Sequence, residues 1–334
     1  SSPFGSGSHT HSAQNAFNLH YRGAPVYGST GYYMNFSDAH NLLSYRHTRA
    51  HNTLLIDGIG QPFTTRAYGN IVRAFSGEHI SYALGDASNA YCGISEYPMW
   101  VTNFAKQHLE QSVENGFGET PLTLYRRHIF LLHPDKIVIY DEMEAKKPVR
   151  WDWLLHSPVK FSIDEQTCKL VTRNEEKQFT SVAQLFSRQD CKITQTDRFV
   201  VPPNQENAVR GEVFTNSWHL TASFTPGKRN RILTIIQVQP DGKQAVGIQR
   251  DGNLFQCGDW TIEAELDVKK PASLYITNKT NQAVFGYGKS SLLINDKSYR
   301  PIDKTASLLF DKIDGSWQMQ ERMDRKPQLT GSNR

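Results

Sequence analysis

Apolar and polar side chains alternate in short runs along almost the whole chain, and each run is cut by Gly, Pro or Asp. In a strand, successive side chains point to opposite faces, so this pattern demands half-buried strands and leaves little room for helix. NAFNLHYRG places Phe17, Leu19 and Tyr21 on one face and Asn18, His20 and Arg22 on the other, then stops at Gly23, Ala24 and Pro25. HNTLLIDGIGQ reads as a strand closed by Asp57 and Gly58. YRRHIFLLHPDKIVIYDEM reads as two apolar strands joined by a tight turn at His133, Pro134 and Asp135. VRWDWLLHS turns Val149, Trp151, Trp153 and Leu155 one way, which marks the two tryptophans as core. After Pro240 the runs shorten. Only NFAKQHLEQSV, residues 103–113, has the spacing of a helix. The expectation is an all-β chain: a large antiparallel β-sandwich over residues 1–240 and a smaller β-sandwich unit over 241–334.

With 334 residues, 38% of them hydrophobic, the chain can bury a sizeable core. No apolar run approaches the roughly 18 residues of a membrane-spanning helix. The net charge of +4 suits an anionic substrate, and no basic arm or block of like charge points to nucleic acid. Cys92, Cys168, Cys191 and Cys257 are too far apart for a compact zinc ribbon.

Histidine is concentrated at one end. Six of the twelve, His9, His11, His20, His40, His47 and His51, fall in the first 51 residues. Imidazole there can hold a transition metal through a neutral ring nitrogen or move a proton near neutral pH. Asp38 and Asp57 are the only carboxylates in the first 57 residues, which excludes a carboxylate-rich calcium site. A His-x-His pair in a strand puts His9 and His11 on one face. The alternatives are a solvated surface for His9 and buried histidines bonded to backbone carbonyls for His11 and His51.

The segments GSHTHSAQNAFNLHYRGAPVYGSTGYY, RHTRAHNTLLIDGIGQ and LYRRHIFLLHPDKIVIYDEME with WDWLLHS, in that order and spacing, resemble the C-terminal sandwich region of the heparinase II/III-like polysaccharide lyases. The resemblance covers roughly residues 1–240. It implies that an N-terminal α/α toroid, absent here, completes the enzyme, and the abrupt start at SSPFG agrees with a C-terminal portion that is inactive alone. It implies cleavage of uronic-acid-containing glycans, of the heparin, heparan sulfate or alginate type, by β-elimination. A base removes the C5 proton, donors neutralise the carboxylate, and an acid protonates the departing oxygen. The alternatives are a uronyl C5-epimerase, which shares the first step, and a non-catalytic carbohydrate-binding sandwich. Such a substrate implies a periplasmic or secreted bacterial protein.

Residue by residue, His9 matches the sandwich histidine that reaches into the cleft in these relatives. His11 and His51 match two ligands of a structural zinc. Relatives commonly carry an aspartate where this chain has Ser29, and an acid where it has Ala13, so His40 is the candidate third ligand. Arg126 and Arg127, beside His128, are candidates for binding substrate carboxylate or sulfate, since guanidinium forks match such oxyanions; the alternative is a solvated strand face.

Overall fold

The computed structural model describes residue 9 and residues 11–208, 211–280, 282–294 and 297–325. Half of the residues are in strands and 7% are helical, as the alternation predicts. The larger sheet is antiparallel and ten-stranded. Its spatial order is Ser162–Asp164, Lys169–Asn174, Phe179–Phe186, Trp218–Pro240, Lys136–Ser157, Leu122–Leu132, Ile80–Asn89 and Tyr68–Phe75. Leu54–Ile56 pairs with Lys136–Ser157, and Cys191–Thr196 pairs with Trp218–Pro240.

The two central strands run 22 and 23 residues. The sequence pattern breaks each of them in two, at Pro148 and near Gly227. The structure keeps both continuous by opening the ladder there: pairing slips between Phe224 and Gly227 and again between Gly227 and Arg229. Such bulges bend a strand without ending it, and an exposed Pro148 lies where no ladder bond is required.

Both faces of the large sheet are covered. On one, Tyr82, Phe130 and Leu233 share a cluster with Trp260, Ile262 and Phe285 of a second, seven-stranded sheet that runs from Ile248–Asp251 to Ser316–Arg322. The chain changes sheet between Pro240 and Ile248, and the two sheets close on one common core. On the other face Trp151, Trp153, Leu220 and Ala222 lie under Val26, Tyr27 and Leu54, with Phe17, Leu19 and Tyr21 packed against the edge. Both tryptophans are completely buried.

The first hairpin pairs Leu19–Tyr21 with Ala24–Tyr27. Its turn is Arg22 and Gly23, with φ of 51° and 78°, the two left-handed residues a tight hairpin needs. Ala24 and Pro25 therefore belong to the second strand and not to the turn. The helix expected over 103–113 runs instead over Pro98–Lys106. Pro98 at its first position needs no backbone donor. The chain leaves the helix at His108, whose φ of 52° is left-handed. The helix buries Trp100 and Phe104 against Leu42, Leu43, Phe63 and Phe117 in a separate cluster beside the N-terminal segment.

Candidate active site

The first strand begins at Leu19, so His9 and His11 lie in irregular chain and not on one strand face. The reason is a tight turn held by distant partners. Ser12 N–H donates to the Arg46 carbonyl at 3.0 Å, Ala13 N–H to His11 at 2.9 Å, and Asn15 takes a left-handed φ of 58°. The turn is buried, and its backbone is satisfied by side chains. Gln14 and Gln61 exchange hydrogen bonds, N–H to Oε1 at 2.8 Å and Nε2 to carbonyl at 3.1 Å, while Thr53 Oγ1 donates to the same Gln14 carbonyl at 3.0 Å.

Arg127 anchors this segment and does not line a cleft. Adjacent residues of a strand face opposite sides, so Arg126 and Arg127 cannot share one surface. Arg127 is buried and grips Asp141 through Nε at 2.7 Å and Nη2 at 2.9 Å. Its Nη1 donates to the carbonyls of Asn15 at 2.9 Å and Asn52 at 2.7 Å, which pins both histidine-bearing stretches to the sheet. Arg126 is pinned to Asp86 at 3.1 Å and to Asp324. His128 is buried between Glu142 at 2.9 Å and the Tyr82 hydroxyl at 3.0 Å.

His11 and His51 do come together. His11 Nδ1 and His51 Nε2 are 3.3 Å apart, and His51 Nδ1 shares a hydrogen bond with Ser29 Oγ at 2.8 Å. Burial pushes His11 down to about 4, Arg46 adding to the effect and a hydrogen bond to the Tyr45 carbonyl opposing it. Burial, with His11 and His156 nearby, also holds His51 well below the ordinary range. Both rings are neutral at pH 7, the state in which imidazole binds a metal and in which one ring can donate to the other.

A structural zinc ion takes four donors, commonly Cys or His. His40 does not provide one, because its Nδ1 donates to the Val201 carbonyl at 2.6 Å and its Nε2 accepts from Tyr32 N–H at 3.1 Å. Ser29 meets the His51 nitrogen that faces away from His11, so it orients that ring and does not converge with His11. Among the described residues no three His, Cys, Asp or Glu side chains gather as a cation site. Two imidazoles alone do not fit the zinc that the resemblance implies.

His9 is exposed at the rim of this cluster, its ring edge-on to Phe36 at 5.7 Å. Phe36 stacks on Trp100 at 5.1 Å, and the buried Arg46 guanidinium lies over Phe36, Trp100 and Tyr33 at 4.8, 5.4 and 5.7 Å. Tyr45 packs edge-on against His11 at 4.5 Å. An accessible imidazole thus stands on a rigid aromatic platform that carries a buried positive charge, with Tyr33 half exposed beside it. Sequence reasoning missed Arg46 and Tyr33. The available signal was an arginine and paired tyrosines inside the histidine-rich stretch.

Residues 1–249 match the family described as Heparinase II/III-like, C-terminal. Among solved structures, a heparinase III with methylated lysines is similar at 12% identity and a TM-score of 0.55, over 81% of this chain and 35% of that one. A second heparinase III structure gives 12% identity and 0.55, over 91% and 36%. A heparan sulfate lyase mutant from Pedobacter heparinus gives 13% and 0.53, over 81% and 36%. The chain therefore spans about a third of the length of the structures it matches. No curated protein matches the sequence.

Proposed function

Because the chain belongs to the heparinase II/III-like C-terminal family, we propose that it is the sandwich portion of a polysaccharide lyase that cleaves uronic-acid-containing acidic glycans by β-elimination. The observation that carries this reading is the placement of His9: an exposed imidazole, on aromatic residues fixed around Arg46, two residues from a half-buried His11 paired with a buried His51. In this reading His9 faces the uronate ring. It either takes part in proton transfer or donates to the carboxylate, which lowers the cost of the carbanion formed when the C5 proton leaves. The leaving oxygen at C4 is protonated, and a C4–C5 double bond remains. An N-terminal toroid would form the opposite wall and supply the remaining acid and base groups, and a periplasmic or secreted site of action would follow from such a substrate.

His11, His51 and Ser29 act one step back. Their hydrogen-bonded chain and the carbonyl contacts of Arg127 fix the backbone that bears His9, and proton transfer is sensitive to sub-ångström placement.

The test is the ultraviolet absorbance of the conjugated uronide, measured with the full-length enzyme on heparan sulfate and alginate. His9→Ala is expected to reduce turnover by roughly 10²–10⁴-fold with an unchanged melting temperature, because the ring is exposed. A parent enzyme that binds the glycan but yields no absorbing product is an epimerase or a binding module. Turnover within about two-fold of the parent in the variant would make His9 an ordinary surface residue.

A further inference from the structure

One large opening shares no residue with the histidine cluster. It is a groove of about 640 Å³ at the seam between the two sheets, and it continues through Glu144, Arg229, Val268 and Lys269 into a depression of about 630 Å³. Either volume is within the range of small-ligand sites. Seven cations, Lys146, Lys228, Arg229, Arg231, Lys269, Lys270 and Lys304, line the two. Only two carboxylates do so, and both are engaged: Glu142 with His128 at 2.9 Å and Glu144 with Arg229 at 2.7 Å. Lys146, Lys228, Lys269 and Lys304 are exposed and have no ion-pair partner among the described residues.

The walls are fixed before anything binds. Arg231, from the large sheet, donates through Nη1 to the Asp267 carbonyl and through Nη2 to the Lys270 carbonyl, both at 2.8 Å. Tyr140 Oη donates to the Glu265 carbonyl at 2.7 Å. These bonds clamp the 265–270 loop of the second sheet, so Lys269 and Lys270 point outward from an ordered backbone. In the lining Asn230 is 1% exposed. Its Oδ1 accepts from Ser187 Oγ and from Arg231 N–H, both at 2.8 Å, but its Nδ2 has no partner. Strand alternation turns this side chain toward the Ile232 face and Arg231 toward the groove, so the ammonium groups alone set the preference for an anion.

We infer that this groove is a second binding site for a linear, carboxylate- or sulfate-bearing glycan. It would hold the polymer away from the histidine cluster and raise its concentration at the protein. The assignment of a glycan rests on the function proposed above, whereas the demand for a polyanion comes from the unpaired charges. Ammonium groups spread along two joined openings suit a polymer better than a single small anion.

The test measures equilibrium binding to the 334-residue chain of a heparin octasaccharide, a polymannuronate octamer and a short DNA duplex, at low and moderate salt. Lys269→Glu combined with Lys270→Glu is expected to weaken glycan binding about ten-fold and to flatten its salt dependence, with unchanged circular dichroism. Lys228→Glu combined with Lys304→Glu, elsewhere in the same row, is expected to weaken binding as well. Affinity within about two-fold of the parent in both variants overturns the site. Equal affinity for the duplex, lost in the same variants, overturns the glycan assignment. Neither result bears on the lyase reading, which falls only if the full-length enzyme makes no unsaturated product.

Discussion

At the scale of single residues, Arg127 is the clearest case of a charge whose task is structural. It and Asp141 are both buried, and Trp153 Nε1 donates to the same carboxylate at 3.1 Å. Removing one partner leaves an uncompensated buried charge, so Asp141→Asn is expected to cost about 3–5 kcal/mol in denaturant unfolding. The histidines make a second prediction. Burial, reinforced by His219, lowers His156 to about 3, and burial lowers His219 to about 4 against a weaker opposing pull from Asp197. In the unfolded chain both titrate near the ordinary value of about 6.5. Between these values the unfolded chain binds more protons, so stability is complete above about pH 6.5 and declines as pH falls toward 4 and then 3. The melting temperature is expected to drop measurably between about pH 7 and 5, before most carboxylates titrate, and a flat profile there would contradict the assignment.

At the scale of elements, the turn Thr48–Ala50, which ends on His51, is held by the loop around Gly116. The Gly116 carbonyl accepts from Gly60 N–H at 2.8 Å and His47 Nε2 at 3.0 Å, and Arg49 Nη2 donates to Asn115 at 2.6 Å. Gly116 has a φ of +86°, and a Cβ there would come within 2.3 Å of Arg49 Nη2 and 2.8 Å of His47 Nε2. Gly315 has a comparable φ of +78° but opens onto free space. Gly315→Ala is therefore expected to cost about 1–2 kcal/mol from backbone strain alone, and Gly116→Ala clearly more, as read by denaturant titration. Equal costs would mean that the loop yields freely. Elements were legible in the sequence where one face meets an apolar neighbour: Phe17, Leu19 and Tyr21 pack inward, and so do Trp151 and Trp153. They were not legible where a distant partner decides. The His11 to Asn15 stretch has the look of a strand but is drawn into a turn by the Arg46 carbonyl, and His40 looks like a ligand until its Nδ1–H is found donating to the Val201 carbonyl.

At the scale of the whole molecule, the two sheets depend on one another. The period-two pattern foretold both, but period alone does not say which faces meet, because that follows from contacts between residues more than a hundred positions apart. Phe285 packs on Phe130 at 4.7 Å and on Tyr82 at 4.8 Å, and Tyr82 Oη lies 3.1 Å from Ser307 Oγ. A chain ending at residue 245 would uncover Tyr82, Phe130, Leu233 and Ile235 together. It is expected to aggregate or to lack a cooperative melt, whereas a soluble, cooperatively folded 1–245 would show that the large sheet stands alone. Arg127 also has a consequence in time. The stretch that bears His9, His11 and His51 leaves the ribosome well before its anchors do: Arg127 and Asp141, then the Leu154 N–H that donates to the Thr53 carbonyl at 2.9 Å and the His156 N–H that donates to Asn52 Oδ1 at 2.8 Å. The strand Trp218–Pro240, which completes the sheet beneath them, comes later still. Residues made long before their anchors are thus among the last of this region to find their places, and through that wait the nascent chain carries an unassembled, histidine-rich segment.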